Sequence, residues 1–140
     1  MGNGIKTTNY KNTFIAVADD CPVNEAGLPR SKGQLGTVAS LQFEMLREHP
    51  YKYTSDEVLF AIHAVKKGIS PIDRDEFHSF FSKGQACFRA SPLCKRYGWG
   101  VHFNDTGKMA IYALESDDYL KYRNDPSLLQ TKAMRSKKVK

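Results

Sequence analysis

No apolar run in this 140-residue sequence approaches the length of a membrane span, and its amino terminus is polar rather than signal-like, so a cytoplasmic protein with no membrane contact is expected. The Met-Gly start does not complete a myristoylation motif, because Lys6 stands where Ser or Thr is required. Cysteine is scarce: Cys21, Cys87 and Cys94 are odd in number, and their spacing builds no disulfide framework, which fits a reducing compartment. His49, His63, His78 and His102 are scattered, no His-x-x-x-His pair exists, and the Cys87 to Cys94 gap is too wide for half a zinc knuckle. No metal and no cofactor is therefore expected. Phosphate-binding glycine fingerprints are missing as well, since Lys83-Gly84-Gln85 and Tyr97-Gly98-Trp99-Gly100 match neither the Walker nor the dinucleotide spacing. The sequence holds no named nucleic-acid signature and no internal repeat.

Negative charge is the most informative shortage. The net charge is +6, and no acid lies between Glu76 and Asp105, a span that carries Lys83, Arg89, Lys95 and Arg96. None follows Asp125 either, where Lys132, Arg135, Lys137, Lys138 and Lys140 accumulate. Residues 135–140 read as a basic tail, solvated or touching a polyanion, and residues 1–11 as a loose lead-in to a single domain spanning 1–140. A chain of this length buries roughly two-thirds of its unfolded surface, so a true core is expected.

What is present reads as an α+β domain, a mostly antiparallel sheet of three to four strands packed with about four helices. Thr13 to Ala18 is short, β-branched and apolar on both faces, as an inner strand would be. Pro22 to Gly36 reads as a long surface loop, of a length that is often functional or mobile. A helix is expected from Thr37 to His49, ended by Pro50, and a second after the capping box Thr54-Ser55-Asp56-Glu57, with Val58, Leu59, Ile62 and Val65 as its buried stripe. Ser70-Pro71 reads as the start of a third, closed by Gly84, with Phe77, Phe80 and Phe81 on one face. Trp99 to Asn104 and Met109 to Leu114 read as a hairpin across Asp105-Thr106-Gly107-Lys108, with Val101 and Phe103 on one face and His102 on the other. Ser116 caps a fourth helix reaching Asn124, and Leu128 to Met134 reads as an edge strand.

The segment from Phe80 to Gly100 concentrates the chemistry. An arginine presents a planar fork that matches phosphate or carboxylate, a lysine presents a point charge, and amides around Gly84, Gly98 and Gly100 can line an anion nest. A small anionic or nucleotide-like ligand is the expected partner, held by Lys83, Arg89, Lys95 and Arg96, with Tyr97 and Trp99 offering ring faces for stacking. The alternative is a solvated loop with Trp99 in the core. A second reading is a small enzyme: Cys94 beside Lys95 is the better nucleophile, Cys21 follows the discouraging charges of Asp19 and Asp20, His102 is the nearest base, and Asp20 is an acid-base candidate at a strand end. A third is an accessory protein that contacts nucleic acid. The oligomeric state is not written in the sequence.

Three blocks, Asn12 to Pro22, Tyr53 to Phe60, and Phe81 to Leu93 running into Lys95-Arg96-Tyr97-Gly98-Trp99-Gly100, together with the closing Lys132 to Ser136, resemble a family of short, mainly bacterial proteins classed only as a domain of unknown function. The resemblance implies one self-contained domain in a bacterial cytoplasm and carries no activity, substrate or cofactor with it.

Overall fold

The computed structural model describes residues 5–30 and 36–136. These residues form strand β1 (Thr13–Ala16), helices α1 (Val38–Glu48), α2 (Ser55–Lys67), α3 (Arg74–Ser82) and the one-turn α4 (Pro92–Lys95), strands β2 (Trp99–Phe103) and β3 (Met109–Ala113), helix α5 (Asp117–Arg123) and strand β4 (Leu129–Lys132). The sheet order is β3-β2-β1-β4. The α+β expectation holds, with one refinement: β1 pairs antiparallel with β2 but parallel with β4, so the sheet is mixed.

Alternation along the strands sorts side chains onto two faces. Ile15, Val101, Phe103, Met109 and Ile111 point to the side covered by α1, α2 and α4, and join Leu46, Val58, Ile62, Leu93 and Trp99 in the main core. Each fully buried chain of this size contributes about 1.5 to 3 kcal/mol. Phe14 and Ala16 face the other side, where Tyr119 of α5 closes over them. That closure depends on Gly100, because a Cβ there would lie 2.6 Å from both Phe14 Cζ and Tyr119 Cε2.

The helices begin where their caps say. The Thr54 and Glu57 side chains each accept from the other's backbone amide, and α1 has the same reciprocal pattern between Thr37 and Ser40. Three details differ from the sequence reading. In α2, Val65 is exposed and Phe60 takes the buried position, drawn in by its ring contacts with Phe77 and Phe80. Helix α3 starts at Arg74, because Asp73 accepts from the Glu76 amide, while Ser70 spends its hydroxyl on the Ile72 amide in a turn. The lead-in is anchored rather than loose over its described part: Lys6 donates its amide to Phe81 O at 3.0 Å, and the Asp56 carboxylate accepts from the Thr7 and Thr8 hydroxyls and the Thr8 amide. Residues 1–4 and the tail residues 137–140 lie outside the described region. No helix among the described residues is long and apolar enough to cross a membrane.

Candidate functional site

After α3 the chain turns at Gly84, makes a single 3-10 turn over Phe88–Ala90 and enters α4 through Ser91. Its apolar members go inward: Phe88, Leu93 and Cys94 are buried in the main core. Ser91 is buried as well, and its hydroxyl has two roles. The Oγ accepts from the Leu93 amide at 3.1 Å, capping α4, and donates to Gln42 Oε1 at 2.6 Å, bolting the segment to α1. Trp99 belongs to this inward set. Only 5% exposed, it donates its indole N–H to Gly27 O at 2.8 Å, meets the Phe43 ring edge-on, and carries the Arg47 guanidinium 5.4 Å from its ring centre. The expected stacking wall at Trp99 is thus a core indole.

The cations separate once the apolar residues are buried. Lys83 is exposed at the C-cap of α3, and Lys95 ends α4; neither lines the cavities beside Arg96. Arg89 is engaged at both ends: its Nε donates to Lys132 O at 2.7 Å, and its own carbonyl accepts from the Met134 amide at 2.7 Å, so it locks the segment to the end of β4. The expected glycine nest does not form, because the Gly84 amide donates to Phe81 O while Gly98 and Gly100 are buried.

Arg96 and Tyr97 do come together, in a cavity of about 480 Å³ that they share with Arg30 and with Thr37, Val38 and Ala39 at the start of α1. Both guanidiniums are on exposed residues, and among the described residues neither has a carboxylate within 4.0 Å. The capping box occupies the Thr37 and Ser40 amides, but no described group accepts from the amides of Val38 or Ala39. A helix start concentrates partial positive charge on such amides, so two arginines and a helix start with two unaccepted N–H groups line one hollow. Sequence reasoning missed Arg30 and the α1 terminus. The signals were the Thr37 cap and the length of the loop before it.

On its other side Arg96 borders a smaller cavity of about 210 Å³ with Asp20, Pro22 and Ser136. The Asp20 carboxylate accepts from the Ser136 amide at 3.2 and 3.0 Å. Its neighbour Asp19 accepts from Lys132 Nζ at 2.9 Å and Arg135 at 3.5 Å, and the Lys132 hydrogen bond holds its carboxyl below the ordinary range. The paired aspartates therefore fasten the chain after β4. The tail begins as this fastening, since Arg135 is part of it.

A cysteine nucleophile finds no support. Cys94 is fully buried, and desolvation pushes its thiol well above the ordinary value, so little thiolate forms. Cys21 is half-buried against the main core, and Cys87 Sγ lies 3.2 Å from Tyr10 Oη, whose pKa burial pushes up to about 12. His102 cannot serve Cys94, because it lies on the opposite sheet face. There its Nδ1 is 2.7 Å from Tyr51 Oη, which is also 2.7 Å from Tyr112 Oη, and its ring stacks on Tyr122 at 4.2 Å. Burial lowers the His102 pKa below 6.5. Among the described residues no group of three or more potential metal ligands assembles.

A model for a family of unknown function (DUF6157) matches residues 5–139. The chain belongs to this family. No curated protein and no solved structure matches it. Family membership carries no activity with it and leaves the chemistry to be argued from the geometry above.

Proposed function

We propose that this protein binds a small anionic ligand, a phosphate or carboxylate compound of nucleotide-like size, in the cavity between the amino end of α1 and Arg96. One observation carries the reading: Arg30 and Arg96, without carboxylate partners among the described residues, line the same hollow as Val38 and Ala39, whose amides no described group accepts from. Bidentate guanidinium contacts and helix-start amides are complementary to the same anion oxygens. Tyr97 adds a ring at the wall for a planar group. Of the cations first grouped with it, Arg96 is the one we assign to the ligand. A bacterial cytoplasm is the setting we infer, where three free cysteines persist and phosphorylated metabolites are abundant.

Calorimetric titration with inorganic phosphate and with adenosine monophosphate tests this. Saturable binding that weakens at least tenfold in Arg96→Ala and in Arg30→Ala, with only a shallow dependence on salt, supports a single-anion pocket. A steep salt dependence with a long oligonucleotide, and no saturable phosphate binding, replaces it with a nucleic-acid contact spread over many cations.

A further inference from the structure

On the sheet face opposite the main core, three phenols gather at His102. Tyr51 Oη lies 2.7 Å from His102 Nδ1 and 2.7 Å from Tyr112 Oη, while the Tyr122 ring stacks on the imidazole at 4.2 Å and meets the Tyr112 ring at 5.0 Å. Regular elements carry three of the four: β2 holds His102, β3 holds Tyr112 and α5 holds Tyr122. Helix α5 is itself fixed by Tyr119, which packs on Phe14 and accepts at its hydroxyl from the Val17 amide at 3.0 Å. Tyr51 is the exception. It sits in the connection between α1 and α2 with φ at 60°, a left-handed conformation that a bulky residue adopts only under constraint. Its amide donates to Met109 O at 2.9 Å and the Met109 amide donates to Tyr53 O at 2.9 Å, so the connection runs as a strap along the edge of β3.

Between neutral and mildly acid pH the charge of this cluster changes at His102. Burial pushes the Tyr112 phenol up to about 12 and the Tyr51 phenol well above its ordinary value, so both keep their protons. Asp125, whose charge favours an imidazolium, stays ionised, because the Ser127 hydroxyl and amide hold its carboxyl below the ordinary range; Lys121 opposes the imidazolium. A neutral imidazole and two rotating hydroxyls fit together in either direction. An imidazolium fits in one only, since its Nδ1 can only donate: Tyr51 Oη must then accept from it and turn its own proton toward Tyr112. Desolvation of the charge is the largest influence on His102 and holds its pKa below 6.5. A motion that lets water reach the ring is therefore favoured by acid as the pH falls from 6.5 to the lower folded value, and is not favoured above 6.5. We infer that Tyr51 is a pH-sensitive latch: with His102 neutral its hydroxyl pins the strap to the sheet, and protonation of His102 releases the strap while α5 and the sheet stay in place. Release uncovers the rings of His102 and Tyr112. The latch lies beyond the carboxyl end of α1 and does not depend on the anion reading.

Nuclear magnetic resonance of the wild-type protein between about pH 7.5 and about pH 5 tests the latch. The His102 ring resonances should titrate below 6.5. Over the same window the Tyr51 amide should lose protection against hydrogen exchange, after correction for the intrinsic rate, while the amides of Val101 in β2 and Ala110 in β3 keep theirs. His102→Gln cannot gain a proton, so the protection of Tyr51 should no longer change with pH. Tyr51→Phe keeps the ring and removes the hydroxyl, so the amide at position 51 should be less protected already at about pH 7.5. The inference is overturned by a His102 titration at or above 6.5, by Tyr51 protection that is constant or that falls together with that of Val101 and Ala110, by a pH-dependent loss that persists in His102→Gln, or by undiminished protection in Tyr51→Phe.

Discussion

Arg89 and Arg96 leave the same short segment and meet opposite fates. Arg89 spends its side chain and its carbonyl on the residues around the end of β4. Arg96 emerges after α4 with no carboxylate within 4.0 Å among the described residues, beside a helix start whose first two amides no described group accepts from. The difference is made by what each neighbours in space, since both belong to a stretch without a single acid. A run of cations in a sequence is thus a pool from which the fold assigns some to fastening and leaves others to solvent or ligand.

Substitutions can separate the fastening end from the open end. The largest effect is expected at the joint, where Ser91→Ala removes the α4 cap and leaves Gln42 Oε1 without its donor. Unfolding in urea at pH 7 should show a loss of about 2 to 3 kcal/mol. Arg89→Ala breaks one charge-assisted bond at a partly exposed position and should cost about 1 kcal/mol, with phosphate affinity unchanged. A pH scan sharpens the contrast. Asp19 has a folded pKa below its ordinary 3.8, so its contribution is fully present above 3.8 and is lost as the pH falls through the lower folded value. Amide resonances of Lys132 and Arg135, whose side chains hold Asp19, should move in that window, and those of Val38 and Ala39 should not, because the groups around them are guanidiniums and a phenol. Arg96→Ala should be the mildest for the fold, within about 0.5 kcal/mol of wild type, while removing most of the phosphate affinity. A stability loss at Arg96 as large as that at Arg89 would erase the comparison.

Elements with local chemical signals were legible in the sequence. The Thr54 to Glu57 capping box marked α2, alternation placed His102 opposite Val101 and Phe103, and the Asp105 to Lys108 turn marked the hairpin. Where two signals competed, the reading slipped: Ser70-Pro71 outweighed Asp73 on paper, yet it is the Asp73 carboxylate that accepts from the Glu76 amide and caps α3. The parallel pairing of β4 with β1 was hidden because register across the length of the chain leaves no local mark. The site was legible as a location only. Composition showed that charge was concentrated between Lys83 and Trp99, but the inward turn of Trp99, the capture of Arg89 by Lys132 O and the approach of Arg30 all depend on contacts distant in sequence.

The most direct test of the central claim is a two-dimensional amide spectrum of the wild-type protein titrated with inorganic phosphate, repeated on Arg96→Ala and Arg89→Ala. The account predicts saturable downfield shifts at Val38 and Ala39 that persist in Arg89→Ala and vanish in Arg96→Ala. Shifts that leave Val38 and Ala39 unmoved, or that survive the loss of Arg96, would contradict it.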